Sequence, residues 1–443
     1  MALVKWQYPG DLADNEQWAH QSSYPQWYTA VSDAYGAYDD FKYKFSIYTV
    51  DGILASPFKS VPLQYEGVGK FNPSNILKQQ FYPEFNSEIR RWTPKGGSIL
   101  NYYVKCQEYA KELAAPDSTE FDKHICVRNW KEDFNYEDYL MKGATTNFPS
   151  YWLNNLNANR EVQLTDYSTL RCISGQIKEG SSIYISYAYE LNVVVTDTDG
   201  NSISYLLANP NPYWSTTNSD QPTGNTLSDV TNYMLEVPTG AANLNGLKFK
   251  YKVAGVWNYT SADIITSSTD YYDIITYQWP KGDNGKTSAA ARYKIMSYCN
   301  YTPIRIFWEN ELSGFDDFNF ELVSTKNIEV KHSTYKKQRD TQGGKSGIKL
   351  GNNKYIGNSD ASRGEDIYHT NIDEYYVANT EYLTDEQVLD LESLWSSQNV
   401  FANISGTIYP IISMIKKRKI NTTQNDVRNY NIEFRLSNKK IIN

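Results

Sequence analysis

Alternation of apolar and polar residues dominates this chain. In FKYKFSIYTVDG (41–52), Phe41, Tyr43, Phe45 and Ile47 alternate with Lys42, Lys44, Ser46 and Tyr48. A period of two predicts a half-buried strand, and Val-Asp-Gly predicts a hairpin turn into ILASP. FNPSNILKQQF (71–81) breaks the alternation and predicts a short helix or single turn, with Pro73 near its start. ILNYYVKCQEYA (99–110) predicts another strand, and KEDFNYEDYLMKGATTNF (131–148) a long loop with a short helical segment. SSIYISYAYELNVVVTDTDGNSISYLLA (181–208) holds two alternating runs with a turn at Asp199-Gly200. GLKFKYKVAGVWNYTS (246–261) and YYDIITYQWP (271–280) continue the pattern.

After residue 300 the predicted strands are YTPIRIFW, FNFELVS, NIEVKHSTY, TIYPIISMI and NYNIEFRLS. Among them lies one strong helix, EYLTDEQVLDLESLWSSQ (381–398). Thr384 and Gln387 form a capping-box pattern there, and Val388, Leu391, Leu394 and Trp395 form an apolar face. The segment 336–366 is polar and Gly-rich and predicts a long loop.

Together these elements predict a mainly β chain of several antiparallel β-sandwich domains, immunoglobulin- or fibronectin-like, with one C-terminal helix packed on a small β domain. The expected division is an extended N-terminal arm at 1–40, a β domain at 41–150, a β-sandwich at 151–300 and an α+β domain at 301–443. A linker is expected near 145–165, where PSYWLNNLNANR is rich in Asn. No fixed short repeat is evident, which argues against a solenoid or propeller.

Composition refines this picture. Aromatic residues make up 15% of 443 residues, with 38 tyrosines, so rings supply much of the core area and keep polar tips for hydrogen bonds or interfaces. A net charge of −8 argues against a general nucleic-acid binder. No run of eighteen apolar residues is present and the start lacks a secretory pattern, so neither membrane insertion nor export is expected. Cys106, Cys126, Cys172 and Cys299 are far apart, and buried free thiols are the simplest reading.

Candidate chemistry is sparse. RIFWENELSGFDDFNFELVS (305–324) sets carboxylates among rings, as a sugar-cleaving cleft would. Asp316 and Asp317 are adjacent, however, and on a strand they are expected to point to opposite faces, whereas a glycosidase pair must face one bond. Glu309 and Glu311 share a face, which also suits a solvated turn. His20, His124, His332 and His369 lie in no hydrolase or zinc motif. TDTDGN (196–201) lacks the glycine and glutamate positions of a calcium loop, and GGKSG (343–347) lacks the spacing of a phosphate loop. No catalytic residue, cofactor or metal is expected. Lys416, Lys417, Arg418 and Lys419 form the one dense basic run, either a solvated hairpin end or an electrostatic contact with a neighbouring subunit.

Several segments resemble a group of tail-associated virion structural proteins (ring, hub or distal-tail-like) of crAss-like and related Bacteroidetes phages. FKYKFSIYTVDG followed by FNPSNIL is similar to their opening domain. NWKEDFNYEDY (129–139) and REVQLTDYSTL (160–170) match their NxxxxEDFxYxDY-type and RxVQLTDYxxL-type segments. RIFWENELSGFDDFNF, KNIEVKHSTYKK, YLTDEQVLDLESLWSSQNVF, YPIIS and NYNIEFRLSNKK resemble the closing stretch of the group. The resemblance spans most of 41–443 and is weakest at 175–300.

The resemblance implies a non-enzymatic phage-tail subunit made in the host cytoplasm. It would assemble as a homo-oligomeric ring in the virion tail, beside neighbouring tail or portal-proximal proteins. RIFWENELSGFDDFNF would be a core hairpin, rings inward and acids at the turn and on the wet face. The 336–366 loop and the basic run would be subunit contacts. Two other classes remain open: a receptor- or glycan-binding tail module, with an exposed aromatic platform, and a polysaccharide-degrading enzyme, with facing carboxylates.

Overall fold

The computed structural model describes residues 4–8, 18–21, 27–32, 37–49, 54–61, 67–82, 84–95, 99–113, 118–121, 124–128, 130–131, 134, 136–139, 141, 151–179, 182–186, 188–208, 233–278, 288–297, 301–336, 348–350, 354–356, 365–414, 428–437 and 440–442. The chain is mainly β, with several antiparallel sheets. It forms two compact units that are discontinuous in sequence. The first comprises 1–297, 307–318 and 385–399, and the second comprises 298–306, 319–384 and 400–443.

In the first unit, two sheets build a sandwich. One sheet has the order 160–162, 291–295, 269–278, 188–197, 202–208, 249–253, 256–260, and the other 182–186, 169–179, 233–238, 93–95. Alternation along each strand sends Leu191, Val193, Tyr272 and Ile274 from the first sheet, and Leu170, Cys172, Leu235 and Val237 from the second, into one buried core. Of the stretch 181–208 predicted as a hairpin, 188–197 and 202–208 pair, with Thr196 opposite Ser202 across a turn in which Gly200 has φ 84°, whereas 182–186 pairs with 169–179 in the other sheet. Strands 249–253 and 256–260 join through Ala254 and Gly255, both with positive φ, which is the turn type that matches strand twist.

A second core in this unit surrounds strand 42–49, which pairs with 54–61 and 99–109. Tyr43, Phe45, Ile47, Val104 and Phe71 fill it, and the Phe45 and Phe71 rings stack at 5.0 Å. The short helix Ser74–Gln80 forms where Pro73 starts the turn and buries Leu77. The N-terminal stretch is more integrated than an arm. Val4–Tyr8 and Trp27–Val31 form a sheet with Gly69–Phe71, Trp18–Gln21 runs parallel to His124–Val127, and Tyr28 and Ala30 are fully buried.

The second unit carries a sheet that runs 400–404, 407–413, 428–436, 365–383, 325–336, with 440–442 also paired to 365–383. Ala378, Ile432 and Phe434 are buried where 365–383 meets 428–436, and Tyr376 stacks on Phe434 at 5.4 Å. Strand 365–383 is 19 residues long, and its pairing with 428–436 begins only at Tyr375. Its N-terminal half is joined to 325–336, and to 440–442 at Thr370–Ile372, so a narrow ribbon extends beyond the packed part of the sheet. Most of the expected 336–366 loop lies outside the described residues; within it Ile348–Leu350 pairs with Lys354–Ile356. Lys416, Lys417, Arg418 and Lys419 also lie outside the described residues.

Candidate functional site

The Asn-rich stretch read as a linker is instead packed within the first unit. Trp152 and Leu153 are buried, and Asn154 is nearly so. Asn154 Nδ2 donates to the Phe315 carbonyl at 2.7 Å and to Asp316 Oδ1 at 3.1 Å, while its Oδ1 accepts from the Arg171 amide at 2.8 Å. Asn155 and Asn157 tie the same loop to the helix Asp385–Ser396. Asn155 Nδ2 donates to Ser393 Oγ at 3.2 Å, and the Asn157 and Ala158 amides donate to Asp390 at 3.1 and 3.0 Å. Trp308 Nε1 donates to the same Ser393 Oγ at 2.9 Å. Asn residues suit this task because each carries donors and an acceptor on one short side chain.

The acids of 305–320 converge on arginines. Arg160 contacts both adjacent aspartates, Asp316 at 2.5 Å through Nη2 and Asp317 at 3.2 Å through Nη1. Although adjacent on a strand, both are reached by one planar guanidinium. Asp317 also accepts from Ser168 Oγ at 2.5 Å, and Asp316 from Asn310 Nδ2 at 2.8 Å. Glu309 accepts from Arg128 Nε at 3.1 Å and from Asn399 Nδ2 at 2.6 Å. Asp316, Asp317 and Glu309 are all buried, so the expected wet-face position is corrected for these three. The paired cations and amides make burial tolerable, since an unpaired buried charge is costly. Four of the five rings pack inward, and Phe318 is half-buried. Phe307, Trp308, Phe315 and Phe320 are buried, and Phe85 meets Phe315 at 4.7 Å.

Burial holds the Asp316 carboxyl up at about 6 against the pull of Arg160, Asn310 and Asn154, and Asp390 adds to the rise. Burial also raises Asp390, opposed by the amides of Ala158 and Asn157. Burial disfavours the Arg160 cation, but Asp317, Tyr293 and Asp316 outweigh it and hold the proton more tightly. A second pair, Arg171 with Glu236 at 3.2 Å, has no exposed side-chain surface; Arg171 also donates to the Ser313 and Glu84 carbonyls and lies over the Phe315 ring.

The space at Arg160, Asp316 and Asp317 is about 20 Å³, room for a water molecule and far too small for a sugar ring. A larger open cleft of about 830 Å³ lies in the same unit, lined by Tyr139, Tyr151, Trp152, Asn157, Glu311 and Glu392 among others. Tyr151 is 58% exposed, and Lys131 lies 3.8 Å from Glu311. Of the acids singled out in 305–320, Glu311 is the one that lines this cleft. Among the described residues, no three His, Cys, Asp or Glu side chains are grouped to hold a metal ion, and no helix is long and apolar enough to cross a membrane. The Asp197 carboxylate is occupied by its own turn, accepting from the amides of Asp199 and Asn201 at 3.0 and 2.8 Å. His332 Nδ1 sits 3.0 Å from Thr370 Oγ1 on the exposed ribbon.

The signal for the buried network was present in the sequence as charges embedded in ring-rich strands, which need partners when both faces are covered. The partner could not be assigned, because Arg160 and Asp316 are 156 residues apart. No protein-family model matches this chain, and no curated protein matches it.

Proposed function

We propose that this chain is a structural subunit of a bacteriophage tail, of the ring, hub or distal-tail kind that its sequence resembles, and that its work is assembly. One observation supports this reading above the others. Among the described residues, the strand Thr325–Lys336 ends its sheet, is exposed along nearly its whole length, and carries Ile328 and Val330 at 58% and 47% exposure. Unpaired edge strands of this length template pairing with other chains, so an assembling protein can use one where a monomer would blunt it. The buried acids fit the same reading, because Asp316, Asp317 and Glu309 are committed to arginines and amides rather than aimed into an open cleft.

Light scattering after size exclusion, with negative-stain images of the same peak, tests this. Closed rings or another defined symmetric oligomer are expected. A strict monomer at every concentration overturns the self-assembling form of the reading.

The cleft beside Tyr151 favours a second reading, glycan binding at the tail. An exposed ring beside amides and carboxylates is a combination that stacks on and hydrogen-bonds to a sugar. A glycan screen with wild type and Tyr151→Ala tests it: a hit lost in the variant moves this reading to first place.

A further inference from the structure

The exposed edge strand carries information about its own partner. Along 325–333 the pairing to 365–383 is regular, from Thr325↔Val377 to Ser333↔His369, and a bulge follows between Ser333 and Thr334. Within this regular stretch, successive residues alternate in directing their backbone N–H and C=O groups toward 365–383 and toward the open side. Directly opposed residues in an antiparallel pair share that direction. If the open edge pairs with the same edge of a second copy, opposed residues must therefore both be even-numbered or both odd-numbered. The two-fold axis then passes through a residue, not between two.

Few positions for that axis are left, and charge separates them. An axis at Glu329 opposes two glutamates, and an axis at Lys331 opposes two lysines; like charges directly across a strand pair are unfavourable. An axis at Asn327 or Ile328 leaves Glu329 facing Thr325 or Asn327. An axis at Val330 sets Glu329 of each copy opposite Lys331 of the other, twice by symmetry. It also places the exposed Val330 against its own copy, with Ile328 opposite His332 on the same face. Glu329 and Lys331 are both exposed, at 3.1 Å from each other within one strand, so both are placed to reach across the junction.

We infer that 325–333 is an isologous docking edge for a second copy of this chain, antiparallel and centred on Val330, with two reciprocal Glu329–Lys331 contacts. The inference rests on the assembly reading above and specifies one of its contacts. An isologous contact closes at two copies, so a ring would require a second, head-to-tail surface on each subunit.

The test is charge reversal in the full-length chain, read by light scattering or sedimentation over a concentration series. Glu329→Lys alone, or Lys331→Glu alone, opposes like charges twice and is expected to raise the concentration for half-association by about tenfold. An equal mixture of the two single variants restores both attractive pairs across the junction, and association is expected to return to within about threefold of wild type. That rescue cannot come from the pair within one strand, because neither variant chain contains it. Independently, Val330→Cys is expected to give an interchain disulfide on oxidation that wild type does not form, since directly opposed positions fall within disulfide reach. If wild type oligomerises but the single variants associate equally well, or the mixture fails to recover, this edge is not the contact and the assembly reading stands without it. If wild type never associates, this contact and the self-assembling form of the reading both fall.

Discussion

Gly314 passes so close to Leu153 that a Cβ at this position would stand 2.7 Å from the Leu153 carbonyl carbon and closer still to its oxygen. The approach is fixed from both sides. Asn310 Oδ1 accepts from the Gly314 amide at 2.9 Å, and Asn310 Nδ2 donates to the Leu153 carbonyl at 2.9 Å. Neither backbone can withdraw without breaking these bonds. Gly314→Ala is expected to cost about 1–3 kcal/mol. Gly200→Asn, at an open turn with φ +84°, is the control and should change stability by less than about 0.5 kcal/mol. Urea unfolding of the two variants beside wild type checks both.

Two arginine–carboxylate pairs offer a contrast in burial. Arg171 and Glu236 have no exposed side-chain surface, whereas Arg292 and Asp273 are 47% and 18% exposed. Arg171→Met strands a buried carboxylate and is expected to cost about 3–5 kcal/mol. Arg292→Met leaves its partner in contact with water and should cost at most about 1 kcal/mol, despite two contacts of 2.8 Å. Equal losses in chemical denaturation would show that burial does not set the difference.

What was legible in the sequence follows from the range of the forces involved. Alternation is local, so 42–49, 99–109, 188–208 and 269–278 could be read as strands, and the helix at 385–396 could be read from its apolar face. The network was not legible, because an asparagine that caps a loop and one that pins a hairpin 161 residues away look identical in sequence. The same limit applies to the acids: Asp316 and Asp317 read as a wet turn until Arg160 is placed beside them. The N-terminal stretch hides its strands for a related reason. Strands of four or five residues are too short to show a period, and they gain stability only from the sheets they join.

The thiols give a prediction that needs no substitution. Cys106, Cys126 and Cys172 are free and fully buried. Burial pushes the Cys172 thiol up to about 12 and raises the other two further, so the reactive thiolate is scarce at neutral pH. Three of the four cysteines should therefore resist an aromatic disulfide reagent in the folded chain, leaving at most one to react, and all four should react in denaturant. Rapid reaction of two or more thiols without denaturant would contradict this packing.

The raised Asp316 carboxyl makes stability depend on pH in a definite direction. Its folded value is about 6, because burial disfavours the charge more than Arg160 and the asparagines favour it. In an unfolded chain an aspartate titrates near ~4. The folded state thus holds this proton more tightly than the unfolded state does. The contribution of this group to stability is fully present below the unfolded value and is lost as pH rises through about 6. Asp316→Asn removes the titration and keeps the shape. The stability of wild type relative to this variant is expected to fall by up to about 3 kcal/mol between about pH 4 and about pH 7. Other carboxylates titrate in both chains and cancel in the comparison. A difference that rises with pH instead would mean that the attraction of Arg160 outweighs burial, and that the Arg160–Asp316 pair stabilises the folded chain through its charge.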